Sequence, residues 1–199
     1  MQIKERNLEG ERIMLFPLDI SYVPELFEAI DSPEIWTYLP SKMDSLEDMT
    51  KHVQEALKAK ESGLEMPFVV FDKKTNQIVG ITRLLNISFE NRSLEIGWTW
   101  YSSKVWRTRV NTECKYLLLN YCFDTLNITR VQFKVDSRNT RSNKAVLRIG
   151  ATKEGVLRMD RVLYDGFVRD TVYYSILQKE WTSIKNKLES SWQKWNSVK

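Results

Sequence analysis

Two strand-like runs, Ser93 to Trp100 and Val131 to Val135, are separated by one long helical stretch from about Asn111 to Leu126. A helix between two strands carries the chain back across a sheet, so the second strand lies parallel to the first. The stretches just before it favour the opposite sense. Phe68–Asp72, Ile78–Leu85 and Ser93–Trp100 read as three strands joined by the turn-rich Lys73-Lys74-Thr75-Asn76-Gln77 and the polar Asn86–Arg92, links suited to antiparallel pairing. A sheet of mixed sense follows.

The remaining segments extend this pattern. Arg12 to Leu18 alternates as a strand, and Tyr22, Val23, Leu26, Phe27 and Ile30 then recur at helical spacing. A second helix is expected from Ser45, with Asp48 completing a capping box and Met49, Val53, Ala56 and Leu57 forming its apolar stripe. After Val131–Val135 come a helix over about Thr140–Ile149 and two strands around the Asp165-Gly166 turn. Trp181, Ile184, Leu188, Trp192 and Trp195 are spaced three and four apart on an amphipathic C-terminal helix over about 179–196. The order is β-α-α-β-β-β-α-β-α-β-β-α, a mixed α/β chain read as one domain over 1–199.

Composition removes several kinds of chemistry. No window of the 199 residues approaches the ~20 consecutive apolar residues of a membrane span, and the charged N-terminus lacks a secretory core. Cys114 and Cys122, the only two cysteines, share one apolar helical stretch, which suits a reducing, cytoplasmic setting. With two Cys and one His, a Cys/His zinc site has too few ligands, and no metal is expected. His52 sits in a Lys/Glu-rich helical segment and is expected to be an exposed or half-exposed helix residue.

Charge is unevenly placed. Between Lys104 and Arg148 the chain carries 10 Lys/Arg against 3 Asp/Glu, so this segment is +7 while the whole chain is only +4. Such a segment is built to meet an anion, whether nucleic acid, an acidic protein surface or a phosphorylated cofactor. It has no aromatic-interleaved basic motif, so nucleic acid is the least favoured partner.

The informative motifs are Leu8-Glu9-Gly10-Glu11-Arg12 with Pro17-Leu18, Ile78-Val79-Gly80, Glu95-Ile96-Gly97-Trp98, Val110-Asn111-Thr112-Glu113, Asn139-x-x-Ser142 with Gly150, and Glu154-Gly155-Val156-Leu157-Arg158. In this order and spacing the chain resembles the GNAT N-acetyltransferase superfamily, specifically its RimJ/RimL-like protein N-acetyltransferase branch. The resemblance implies a mixed, centrally splayed β-sheet with helices on both faces. It also implies acetyl-CoA as cosubstrate, laid along the strand that ends near Trp100, with Trp98, Thr99 and Trp100 beside the pantetheine and thioester. Arg107, Thr108, Arg109, Val110, Asn111 and Thr112 would form the pyrophosphate turn and helix start, where backbone N–H groups and a positive helix end meet the diphosphate. Asn139 and Ser142 would complete the cofactor site.

The chain departs from the family pattern in three places. The pyrophosphate turn is usually written Q/R-x-x-G-x-G/A, and here Trp106-Arg107-Thr108-Arg109-Val110-Asn111 contains no glycine. Arg109 is therefore expected either to displace the loop or to add a charge-assisted contact. The tyrosine acid found in many members falls on Val146. The branch's serine is matched by Ser142, which would serve as the catalytic hydroxyl or bond nearby backbone at the helix start, and Asn139 would touch cofactor or cap that helix. Third, the branch's candidate catalytic glutamate falls on Arg161, with Asp160 beside it. Glu95 is left as the candidate base, or equally as a structural carboxylate.

Weak base machinery suits an α-amine: deprotonating a lysine amine costs roughly 4.6 kcal/mol at pH 7, against about 1 kcal/mol for an α-amine. The expected acceptor is a protein N-terminus or an amino-acid-like molecule. Trp36 and Tyr38, with Asp31 and Glu34, would hold its cationic amine, or serve as local packing and solvated acids. The expected reaction is direct transfer from acetyl-CoA to a primary amine by a monomer or homodimer, without nucleic acid or membrane. The alternative is a weak or inactive coenzyme A-binding or protein-interaction module on the same scaffold.

Overall fold

Successive side chains of a strand point to opposite faces of a sheet, and here both sets are apolar. Val69, Ile81 and Trp100 point to one side, whereas Phe68, Val70, Leu84 and Ile96 point to the other. Both faces therefore need a cover. The computed structural model, which describes residues 3–196 and side chains over 3–190, provides it as two helical layers around one sheet.

The strands are β1 (Leu8–Glu9), β2 (Ile13–Pro17), β3 (Met66–Asp72), β4 (Gln77–Ser88), β5 (Ser93–Tyr101), β6 (Arg130–Asp136), β7 (Thr152–Val162) and β8 (Val168–Leu177). They lie in the order β1-β2-β3-β4-β5-β6-β8-β7. The anticipated parallel pairing joins β5 to β6, and each other neighbouring pair is antiparallel. The two-residue β1 was not anticipated, because so short a strand has no periodicity to read.

Helices α1 (Val23–Glu28) and α2 (Leu46–Glu61) cover the first face through Leu26, Met49, Val53 and Ala56, which pack with Trp36, Val69, Ile81 and Trp100. The expected capping box starts α2: Asp48 N–H donates to Ser45 Oγ, and the Asp48 carboxylate accepts from Ser45 N–H. On the other face lie α3 (Val110–Asn120), a single π turn over Tyr121–Thr125 that continues it, α4 (Thr140–Arg148) and α5 (Gln178–Asn196). Trp181, Ile184 and Leu188 of α5 are buried against the sheet layer, as their spacing requires. The Trp192 and Trp195 side chains lie outside those described. No described helix is long and apolar enough to cross a membrane.

His52 corrects a reading made from composition. It is 5% exposed rather than solvated, because it shares the sheet-facing stripe of α2 with Met49, Val53 and Ala56. Its Nε2 accepts from the Arg83 guanidinium at 2.6 Å. Burial first, and then the Arg83 charge, hold its pKa down to about 3, so the imidazole is neutral with its proton on Nδ1.

One buried carboxylate explains two distant motifs together. Glu113 Oε1 on α3 accepts from the backbone N–H groups of Arg12 at 2.8 Å and Ile13 at 3.2 Å, which ties the start of β2 to the helix. A β-carbon on residue 10 would stand 2.4 Å from that oxygen, so Gly10 keeps the approach open. Glu113→Ala strands both donors and should cost about 2–4 kcal/mol, read as a lower urea midpoint with an unchanged slope. Gly10→Ala should shift the midpoint in the same direction.

Candidate functional site

A parallel ladder that stops early leaves a wedge. β5 and β6 pair only at Ser93↔Arg130, Leu94↔Val131 and Glu95↔Gln132, after which the strands separate. Ile96 to Tyr101 on one side and Phe133 to Asp136 on the other line a cleft of about 280 Å3. Along that edge the β5 backbone has no strand partner among the described residues, although buried backbone groups require partners. An extended, amide-bearing chain fits such an edge as an added strand would.

The edge is further shaped by a bulge. Ile81 faces Trp100 and Arg83 faces Gly97, so Thr82 of β4 stands opposite two residues of β5, Trp98 and Thr99. Trp98 has φ +48°, a left-handed conformation that costs a non-glycine residue about 1–2 kcal/mol. Its ring is held by neighbours: the His52 ring lies 5.2 Å away and the Arg83 guanidinium lies 5.2 Å from its centre. Arg83 also meets Glu65 at 3.2 Å, while its buried Nε has no hydrogen-bond partner among the described residues. Burial lowers the Arg83 pKa and raises that of Glu65.

The glycine-free turn resolves without intrusion. Arg109 adopts φ −73°, and its guanidinium turns away to Glu11 at 3.0 Å and Glu113 at 3.5 Å. The positive φ falls instead on Arg107, at +60°. A side chain at position 109 is tolerated because the backbone there is already helical. Arg107, Thr108 and Asn111 line the cleft, whereas Arg109, Val110 and Thr112 do not; Val110 is wholly buried in the core. Trp106 anchors the turn, with Nε1 donating to Tyr101 O at 2.9 Å and the Arg141 guanidinium 3.7 Å from its ring centre. The Arg109 side chain does not cap α3; Thr108 Oγ1 accepts from Val110 N–H at 3.3 Å, and the amides that follow form the helix N-terminus.

Across the wedge, Asn139 caps α4 by accepting from Ser142 N–H at 2.9 Å. Asn139, Ser142 and Val146 line the cleft together with Arg141 and Arg148. Thus Trp98, Thr99, Trp100, Arg107, Thr108, Asn111, Asn139 and Ser142 converge on one cleft. Glu95 does not line it. Its carboxylate meets Lys134 at 2.9 Å, Asn86 at 3.1 Å and Gln132 at 3.3 Å, all structural partners on the α2 side of the sheet. Asp136 is the only carboxylate that lines the cleft among the described residues, and it is paired with Arg138 at 2.8 Å.

The loop after α1 divides its residues between two tasks. Trp36 is 1% exposed and packs edge-on against Trp100 at 5.4 Å, inside the core. Tyr38 lines the cleft, its ring 5.6 Å from the Arg138 guanidinium and its carbonyl accepting from Arg169 at 3.2 Å. Asp31 accepts from Ser102 Oγ at 2.7 Å and from the amides of Ser103 and Lys104. Burial works against its charged form, yet these hydrogen bonds hold its pKa below the ordinary value.

One polar residue in the wedge was missed from sequence. Lys115 of α3 is 6% exposed and reaches the cleft, donating to Thr99 Oγ1 at 2.6 Å and Thr82 Oγ1 at 3.3 Å. No carboxylate lies within ion-pair distance among the described residues. Burial lowers its pKa to about 8. The available signal was a lysine interrupting the apolar helical run Cys114–Leu119, where the +7 count registered its charge but not its side.

Comparison with known proteins gives a consistent result. The acetyltransferase (GNAT) domain model matches residues 12–152, more than two thirds of the chain. The chain is 26% identical over 179 residues to the uncharacterized N-acetyltransferase p20 of Bacillus licheniformis, covering 88% of this chain and 98% of that protein. A GCN5-related N-acetyltransferase from Brucella melitensis superposes with a TM-score of 0.88 at 26% identity, over 96% of this chain and 86% of that one. Mycobacterium smegmatis RimJ in complex with CoA-disulfide shares the fold, with a TM-score of 0.80 at 21% identity over 94% and 92% of the two chains.

The buried Lys115 ammonium makes a stability signature. Its folded pKa is depressed from 10.5 to about 8, so the unfolded chain holds more protons between these values. Its destabilising contribution is fully present below about pH 8 and fades as pH rises towards 10.5. Lys115→Met removes the buried charge and, after the loss of its hydrogen bonds to Thr82 and Thr99, should stabilise the fold by roughly 1–3 kcal/mol at pH 7. In parallel denaturation curves that gain should shrink from pH 8 to pH 10.

Proposed function

This chain belongs to the acetyltransferase (GNAT) domain family and is an N-acetyltransferase, and from that premise we propose that it acetylates the α-amine of a protein N-terminus or an amino-acid-like molecule by direct attack on the thioester of acetyl-CoA. The observation that carries the reading is the free edge of β5 beyond Glu95, bulged at Trp98 and facing cations that have no ion-pair partner among the described residues. Those cations are Arg107, Arg141 and Arg148.

The residues present fit the nucleotide thioester that the fold implies. Backbone groups of Trp98 to Tyr101 would accept its amide-bearing arm, and Arg107, Arg141, Arg148 and the amide end of α3 would meet its phosphates. When bound, it supplies an acyl carbon activated towards amines. The chain's own part is to fix geometry and field: amide dipoles at the bulge are set before the acceptor arrives, and the packed walls of the wedge exclude water. The Ser142 hydroxyl, on the first turn of α4, would relay to the departing sulfur the proton that the attacking amine loses, or order a water that does so.

The choice of an α-amine follows from the carboxylates. Asp136 is paired with Arg138 and Glu95 with Lys134, so neither supports a strong general base. An amine that is already partly neutral near pH 7 needs none. RimJ shares only the fold at its level of identity, and the acceptor assignment rests on this chemistry.

Acetyl-CoA should raise the melting temperature, by about 2.7 kcal/mol of added stability at a hundredfold excess over its Kd. Arg141→Ala should weaken that binding ~10-fold by removing a charge-assisted phosphate contact. Thiol release should be supported by peptides with free α-amines and abolished when these are blocked while lysines remain free. Turnover that survives blocking would overturn the α-amine assignment. Binding with no turnover on any amine would instead identify a coenzyme A-binding module.

A further inference from the structure

The side of the cleft where Tyr38 meets Arg169 of β8 carries a charge that the phosphates of the cofactor do not explain. Arg161 of β7 and Arg169 of β8 are directly opposed in the strand register. Like charges placed opposite one another destabilise a sheet. Arg169 is 7% exposed and lines the cleft, with Nε donating to Thr171 Oγ1 and one terminal nitrogen donating to Tyr38 O. Neither arginine forms an ion pair among the described residues. Lys134 stands close enough for Arg161 to oppose its charge as well.

Two of the carboxylates around this group are already engaged. Glu95 holds Lys134 at 2.9 Å, and Asp136 holds Arg138 at 2.8 Å, with the Arg138 guanidinium 3.5 Å from the centre of the Phe167 ring. Asp160, next to Arg161 in sequence, also acts on Arg169, without reaching ion-pair distance among the described residues. The Arg169 guanidinium is disfavoured by burial first and by Arg161 next. Two arginines opposed in the strand register, one of them buried and lining the cleft, are suited to receive a carboxylate between them.

We infer that Arg161 and Arg169 receive a negative charge carried by the acceptor beside its reacting amine, so that the preferred substrates are anionic amines: peptides with an acidic residue next to the N-terminus, or free amino dicarboxylic acids. This deepens the N-acetyltransferase reading and rests on it. Arg169 also braces the Tyr38 loop, and it binds from a fixed position. Arg161 is exposed and free to adjust to the acceptor.

The test compares matched peptides that differ only at the second residue, Asp or Asn, together with free aspartate and asparagine. Each is assayed by thiol release and by direct fluorescence titration of binding. The wild-type chain should favour the acidic peptide or amino acid by ~10-fold in kcat/KM and in affinity, an advantage that falls as salt is raised. Arg161→Glu should remove or reverse this preference while acetyl-CoA binding is unchanged. A preference confined to peptides identifies protein N-termini as the source, and one confined to free aspartate identifies a small molecule. Equal handling of Asp and Asn in both assays, or a preference that Arg161→Glu leaves intact, overturns the inference. If nothing is acetylated but the acidic ligands bind in an Arg161-dependent manner, the anion site stands and the transferase reading fails.

Discussion

The structure turns on a parallel ladder only three residues long. Had β5 and β6 stayed paired beyond Glu95 and Gln132, the sheet would be closed and no cleft would exist. What separates them is built into the strands themselves. The bulge at Trp98 turns β5, while β6 stays fully paired with β8 as far as Asp136. Strand β6 therefore follows β8, and β5 follows β4. The sheet is two continuously paired halves joined by a short parallel ladder, with the wedge opening between them.

That arrangement makes the conformation of Trp98 a structural requirement. A left-handed tryptophan persists only where its surroundings fix it, and here the side chain is held between His52 and Arg83. Burial behind Trp98, and then the Arg83 charge, keep this histidine neutral, and the arginine has one nitrogen without a hydrogen-bond partner among the described residues. Both are costs, and they are concentrated behind the one backbone position that shapes the open edge. Strain, burial of charge and the free edge are thus parts of one construction.

Much of this was legible in the sequence, and the parts that were not share a cause. Periodicity placed the long strands and helices, including the parallel crossover, because apolar spacing reports directly on which side is covered. The capping box at Ser45 and Asp48 was readable because both partners lie within one turn. His52 was misread because its Lys/Glu-rich neighbours describe the outer face of α2, whereas the residue itself lies on the inner one. The glycine-free turn left two readings of Arg109, a displaced loop or an added charge-assisted contact, because a sequence motif cannot say where a side chain turns, and the partners that draw it away, Glu11 and Glu113, lie outside the turn. Ser142, Asn139 and Asn111 were found through family likeness. Lys115 was not, since its threonine partners on β4 and β5 are remote in sequence.

Sorting the charged groups by partner separates scaffold from site. Arg12 with Asp72, Lys134 with Glu95, Arg138 with Asp136 and Glu113 with two backbone amides are matched inside the protein, and each joins elements distant in sequence or closes a turn. Arg107, Lys115, Arg141, Arg148 and Arg169 have no ion-pair partner among the described residues, and each of them lines the cleft. Mutual repulsion opposes gathering five cations around one cavity, and for the buried Lys115 and Arg169 desolvation opposes it as well. The excess is intelligible as a site that awaits negative charge from its ligands. Phosphates would meet the cations of the Trp106 turn and α4, and Arg169, on the far wall with Arg161 beside it, is left for the other substrate.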